Sequence, residues 1–350
     1  MGRITARSEW VRALPKVELH LHLEGAIRPE TVRELSLERL GWTGPLPSGW
    51  ETSYYTYTDF AGFLAQLTPR FPGTPEEYYR IALECAEDLA AQEVLYTEIS
   101  FDVPVRSLED TARCGPILEA LDAARREAER RWPITIRYIG ALMRTLPLEV
   151  ALERVRRVIA ARDAGMGIVG IDLHGDESSA PPAPFAPAFQ LAQAAGLGLR
   201  AHAGEATGPE SIWGAIQALG ATRIGHGVRA MEDDSLLTRL EQGDILLELC
   251  PTSNVRTAIV PALAAHPIRV LYDRGIPVTV SSDDPLPFFT TIEREYRLLV
   301  EQFGFSREDL KRMTLGALEA SFLPPEERAA LQELVLEGYD DSRHPATGTA

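Results

Sequence analysis

A chain of 350 residues with 25% charged side chains and a mean hydropathy of −0.10 has the composition of an ordinary water-soluble globular protein, long enough to bury a large core. Its net charge of −16 repels phosphate backbones and argues against a nucleic-acid partner. No apolar run is long enough to span a membrane. Met1 to Trp10 lacks the apolar segment of a secretory signal. Three widely spaced cysteines, Cys85, Cys114 and Cys250, suit reduced thiols in a cytoplasm better than a disulfide framework.

The first element is Pro15-Lys16-Val17-Glu18-Leu19-His20-Leu21-His22-Leu23-Glu24-Gly25, where apolar and polar residues alternate. A period of two predicts a β-strand, so His20 and His22 share a face, and Gly25 ends it. Seven more short apolar runs follow, at 94–101, 134–142, 168–173, 197–202, 223–225, 245–249 and 277–280. Helical patterns lie between them, at 75–91, 107–130, 147–164, 209–219, 233–241 and 256–274. The first of these opens on Thr74 as N-cap and Pro75 at the first helical position. Continuously apolar strands are those buried on both faces. Eight alternations of strand and helix predict an α/β fold, a single (β/α)8 TIM-type barrel over 1–350. The G-x-G-x-x-G turn of a doubly wound sheet does not follow the first strand.

Residues 30–73 interrupt the pattern with Trp42, Trp50, Tyr54, Tyr55, Tyr57, Phe60, Phe63 and Phe71, an excursion that reads as a lid or a packing flap. Within it, Phe60, Phe63, Leu64 and Leu67 fall on one helical face and form either an apolar gate or core packing. Residues 178–187, rich in Pro, Ala and Ser, read as loop. From about 339 the chain is polar and is expected to fray.

In a barrel of this kind, the C-terminal ends of the strands converge on the active site. Five of the seven histidines fall there: His20, His22, His174, His202 and His226. His266 and His344 fall outside and read as ordinary polar residues. Three neutral imidazoles and a carboxylate hold a borderline divalent ion, most often Zn2+. His20, His22, His202 and Asp283 are the natural set. Such an ion brings the pKa of a bound water toward neutrality. Glu205, three residues past His202, is placed to shuttle a proton. His226 can orient the nucleophile, and Asp284 can bond to the substrate.

With these residues assembled, the chain resembles the adenosine deaminase family of the amidohydrolase superfamily. The resemblance runs from Pro15 to about Tyr296. It rests on the first-strand segment, Asp172-Leu173-His174-Gly175-Asp176-Glu177, His202-Ala203-Gly204-Glu205, Arg223-Ile224-Gly225-His226-Gly227, Cys250-Pro251-Thr252-Ser253-Asn254 and Ser282-Asp283-Asp284-Pro285. It implies one zinc per chain on His20, His22, His202 and Asp283. It further implies that Glu205 protonates N1 of a 6-aminopurine while His226 steers the attack on C6. Asp284 would bond N7, and the Gly175 N–H would meet N3. No Cys-x-x-Cys is present, which sets the chain apart from cytidine-deaminase zinc sites.

Two departures bear on the substrate. The acid after His-x-His, usually an Asp that holds the ribose 5′-hydroxyl, is Glu24, and the usual Asn-Thr before the Asp-Asp pair is Ser281-Ser282. Both resemble relatives acting on adenine or on 6-amino-6-deoxyfutalosine, an adenine nucleoside with a carboxyphenyl group beyond its ribose. The expectation is a small-molecule 6-aminopurine nucleoside, adenosine or aminodeoxyfutalosine, with adenine as the alternative. Arg144, just past the third strand, is expected either to supply a cation at the mouth for that carboxylate or to form a surface ion pair. Another metal hydrolase with a second metal site would need a Lys ending a mid-chain strand, and none does.

Overall fold

The computed structural model describes residues 6–35, 49–67 and 73–340. The predicted Trp42, Phe71 and His344 lie outside them. The eight expected strands form within one or two residues of their predicted ends. They are β1 (Lys16–His22), β2 (Val94–Asp102), β3 (Thr135–Met143), β4 (Ile168–His174), β5 (Gly198–Ala203), β6 (Arg223–His226), β7 (Leu246–Leu249) and β8 (Val278–Val280). All are parallel and pair in sequence order. The seam between β8 and β1 is closed at Asp283. Its N–H donates to the His20 carbonyl at 3.1 Å, and its carbonyl accepts from the His22 N–H at 2.9 Å. The result is a (β/α)8 barrel.

β1 does not keep its period of two. Glu18 lies opposite Thr97 but Leu21 lies opposite Ile99, so β1 carries one extra residue against β2. Glu18 accordingly leaves the histidines. It takes the backbone N–H and hydroxyl of Ser282 at 2.8 and 2.5 Å, beside Cys85 and Leu89 of the helix Pro75–Ala90. The Leu19 carbonyl instead accepts from Arg200 at 2.7 Å and Arg223 at 3.2 Å.

Those two arginines, Arg200 in the middle of β5 and Arg223 at the start of β6, are fully buried. Arg223 pairs with Glu98 at 2.5 Å and Glu248 at 2.6 Å; Arg200 pairs with Asp172 at 3.1 Å and Glu248 at 3.4 Å. Where many barrels stack aliphatic layers, this one carries a closed ion-pair lattice. Apolar packing is carried instead by the outward strand faces and the helices around them.

Two element expectations change. The helix expected over 256–274 is broken into Pro251–Arg256, Leu263–Ala265 and Ile268–Asp273, because Pro261 and Pro267 have no N–H to continue one ladder. The helix expected from 107 starts at Cys114. The tail expected to fray from about 339 lies, from 341 on, outside the described residues; just before it the helix Pro325–Gly338 delivers Tyr339 into the core, its hydroxyl 3.1 Å from that of Thr314. No helix among the described residues is long and apolar enough to cross a membrane.

The lattice yields a stability test. Replacing Arg223 with Met strips Glu98 and Glu248 of a counter-ion inside the barrel. We expect a loss of about 3–5 kcal/mol, read as a lower urea midpoint at unchanged m-value.

Candidate active site

Two residues of β1 start the site. His20 and His22 point into the barrel mouth with ring centroids 5.2 Å apart. Across from them β5 brings His202 and β6 brings His226. Asp283 reaches in from just past β8. His20 Nε2 is 3.2 Å and His22 Nε2 3.3 Å from Asp283 Oδ1, and His22 Nε2 is 3.2 Å from His202 Nε2. Four donors about 2.0–2.1 Å from a tetrahedral ion lie about 3.3 Å from one another. These edges therefore fit a borderline divalent ion, and the donor set is its chemistry. A nitrogen or oxygen from each of His20, His202, His226 and Asp283 also lies within 4.8 Å of the others.

The far nitrogens of two of these histidines are held by carboxylates, which aims Nε2 inward. His20 Nδ1 lies 3.3 Å from Glu248, and His202 Nδ1 lies 3.0 Å from Asp172. Burial alone would push both acids up. Arg223 and Arg200 overcome it and hold Glu248 at about 2, and Arg200 with His202 holds Asp172 well below the usual carboxylate range. Burial likewise brings His202 down to about 3, so it stays a neutral donor. The Ser253 hydroxyl donates to Asp283 Oδ2 at 2.7 Å. Burial opposes ionisation of Asp283, but the His20 and His22 rings beside it hold it well below the ordinary range.

Two glycines let these groups approach. A Cβ on Gly225 would stand 3.0 Å from the His20 ring and 3.2 Å from that of His202. A Cβ on Gly25 would stand 1.8 Å from an Asp284 carboxylate oxygen. His226 and Asp283 themselves adopt φ of 62° and 64°, a left-handed conformation that non-glycine residues rarely hold away from functional sites.

Glu205 follows β5 on a turn fixed by Glu177, whose carboxylate accepts the N–H groups of Gly204, Glu205, Ala206 and Thr207 at 2.6–3.1 Å. The Glu205 carboxyl lies 3.6 Å from His226 Nε2. Burial pushes its pKa well above the usual range, with the charges of Asp283, Glu177 and Asp284 adding to the effect. Asp284 is likewise raised, by burial and then by Asp283, and its Oδ1 has no hydrogen-bond partner among the described residues.

These residues line an open cleft of about 690 Å3 together with His22, Glu24, Met143, His174 and Gly175, and with Phe60, Phe63, Leu64 and Leu67 on the other wall. Phe63 is both wall and packing. It is buried against Phe288 at 4.8 Å between centroids, and Tyr57 beside it donates to the Pro287 carbonyl at 2.7 Å. Glu24 is buried at the cleft floor and accepts the Asp102 N–H at 3.0 Å.

Arg144 is neither at the mouth nor in a surface ion pair. It is buried and donates to the carbonyls of Ala180 at 2.6 Å and His202 at 2.7 Å. The physical reason is β3, which runs to Met143 and turns the next side chain behind β5. Arg106, its side chain 44% exposed, is paired with Asp102 and lies 2.9 Å from the sulfur of Met143, which lines the cleft. Sequence reading also missed Asp172, Glu248, Glu177, Ser253, Asn254 and His266. Charged residues inside otherwise apolar strands were the available signal for the first two.

A parallel eight-stranded barrel with a His-x-His on its first strand and an aspartate just past its last, all converging on one point, is a metal-dependent hydrolase of the amidohydrolase type. The chain belongs to the adenosine deaminase family, whose model matches residues 15–338, and it is a hydrolytic deaminase. It is 35% identical to an adenosine deaminase of Klebsiella pneumoniae (strain 342), over 93% of this chain and 99% of the relative. It is also 35% identical to an aminodeoxyfutalosine deaminase of Streptomyces coelicolor, over 93% and 84%. Among solved structures it is similar to an adenine deaminase from Arthrobacter aurescens, with TM-score 0.83, 30% identity and coverage of 93% and 98%. It is also similar to an amidohydrolase from Burkholderia ambifaria with bound Zn, with TM-score 0.85, 27% identity and coverage of 97% and 94%.

The segment that carries Ser253 is braced from outside the cleft. Buried Glu295 accepts the Thr252 N–H at 3.3 Å and the Thr290 hydroxyl, and burial raises its pKa to about 7. A folded value above the unfolded one gives stability that is present below pH 4.5 and lost as pH rises toward 7. Glu295→Gln, which stays neutral, should therefore gain on the wild type across that window, by roughly 3 kcal/mol in all. Thermal melts of both proteins from pH 4 to 8 measure it; a constant difference would contradict the assignment.

Proposed function

We propose that the chain deaminates a 6-aminopurine nucleoside hydrolytically, using one Zn2+ held by His20, His22, His202 and Asp283. The observation that carries this reading is the convergence of those donors, three of whose separations are 3.2–3.3 Å, beside a buried carboxyl, Glu205, that favours its protonated form. The ion, when bound, supplies Lewis acidity and brings a water to nucleophilic strength at neutral pH.

The residues do the rest. His226 holds the incoming oxygen at C6. Glu205 gives its proton to N1, so the electrons of the C6–N1 double bond move onto a neutral nitrogen, and its carboxylate takes the proton that the entering water loses. It then gives that proton to the amino group, which leaves as ammonia, and takes the proton of the new hydroxyl as C6 becomes a carbonyl. Asp284, protonated, donates to N7, and the Gly175 N–H meets N3. Phe60, Phe63, Leu64 and Leu67 cover the apolar faces of the base. Glu24 faces the sugar with one oxygen, the other being tied to Asp102. A reducing cytoplasm suits three buried, unpaired cysteines.

Two measurements test this. Glu205→Gln should keep the fold and close to one equivalent of zinc by metal analysis while losing at least about 10²-fold in rate. Loss of the metal would make Glu205 a ligand instead. For the substrate, ammonia release is compared for adenosine, aminodeoxyfutalosine and adenine. Both nucleosides should outrun adenine. Arg106 is the cation that the rim offers to a carboxylate, so Arg106→Met should lower kcat/KM for aminodeoxyfutalosine and leave that for adenosine within about twofold, since such a pair adds about 1.5–3 kcal/mol. A preference for free adenine overturns the nucleoside reading.

A further inference from the structure

One chain of buried polar groups leaves the site and ends on a backbone amide. Asn254 Nδ2 lies 3.1 Å from His226 Nδ1, and Asn254 Oδ1 lies 3.1 Å from His266 Nε2. The Ile268 N–H donates to His266 Nδ1 at 3.2 Å. All three side chains are buried.

A backbone N–H can only donate, which gives the chain a direction. His266 Nδ1 must be bare, so a neutral His266 carries its proton on Nε2 and donates it to the Asn254 carbonyl oxygen. The Asn254 amide is thereby oriented with its NH2 toward His226. His226 Nδ1 must accept that bond, so the single proton of the neutral ring sits on Nε2. That nitrogen faces Glu205 at 3.6 Å and Asp283 at 3.8 Å.

We propose that Asn254 and His266 are positioning residues that fix His226 as its Nε2–H tautomer. The inference rests on the reading of His226 as the group that holds the nucleophile. An Nε2–H offers no lone pair, so His226 is excluded as a metal ligand even though its nitrogen falls within the ligand cluster. It is excluded as a base at that nitrogen for the same reason. What remains is hydrogen-bond donation to the oxygen that attacks C6. Ser253 and Asn254, adjacent on the helix Pro251–Arg256, thus divide the work: Ser253 orients the metal-binding carboxylate, and Asn254 orients the imidazole that must not bind.

Asn254→Asp tests this with little change of shape. A carboxylate accepts from both histidines and draws the His226 proton to Nδ1. The zinc-loaded variant should keep its metal and its melting temperature within a few degrees. It should lose about 10²–10⁴-fold in kcat with KM changed by no more than about threefold, the range seen when a catalytic histidine is held in the wrong tautomer. His266→Gln retains an N–H for Asn254 and should stay within about tenfold of wild type in kcat. His266→Met retains none and should fall well below the Gln variant. Ring 15N shifts of His226 in the zinc-loaded wild type should report a bare Nδ1 and a protonated Nε2.

The reverse shifts overturn the inference while leaving the role of His226 standing. Unchanged kcat in Asn254→Asp overturns it too. If that variant does not fold, equal rates in the two His266 variants overturn it. His226→Ala at the wild-type rate overturns the reading of His226 itself, whatever its tautomer.

Discussion

Everything at the centre of this protein depends on presenting neutral imidazole lone pairs to one point inside a protein. Burial keeps His202 neutral but does not aim its ring. Aim comes from Glu248 behind His20 and Asp172 behind His202. A buried carboxylate is itself costly, and two of them beneath a metal site would be protonated without compensation. Arg200 and Arg223 supply that compensation and fill the barrel floor in doing so. The ion-pair lattice and the ligand geometry are therefore one structure. A hydrophobic floor would pack as well and would leave the histidines free to turn.

The barrel seam obeys the same economy. β8 is only three residues long, and the closure passes to Asp283, whose backbone bonds to both sides of His20 and His22. Its side chain lies within reach of both rings. Closing the sheet and completing the donor set are a single event. A left-handed φ at Asp283 is what allows one residue to do both, and Glu18, turned outward by the extra residue in β1, anchors the preceding Ser282.

Chemistry at neutral pH needs acids that keep their protons next to acids that do not. Asp283 and Asp284 are neighbours, yet the first is held ionised by histidines and Ser253 while the second is pushed up by burial and by the first. Glu205 is raised in the same way. Environment, not residue type, favours the ionised form of one carboxyl and the protonated form of the other two.

The sequence by itself determined a good deal. Eight apolar runs, most of them alternating with helical patterns, specify the barrel, because strand and helix periods are local properties. The histidines at strand ends specify the site, because a barrel brings those ends together whatever lies between. The dissection of 256–274 was readable too, in Pro261 and Pro267. What could not be read locally were partnerships across the barrel. Nothing near His266 in the chain says that its ring meets Asn254, or that Asn254 meets His226; both contacts arise where a helix broken by prolines folds back toward the last residue of β6. Arg144 is buried instead of standing at the mouth because the exact residue at which a strand stops decides which side chain turns inward. Residue types and periods fix which groups gather at the barrel mouth. Only the three-dimensional closure decides which of them carries a proton, which binds the metal and which merely holds another in place, since those depend on burial and on neighbours distant in sequence.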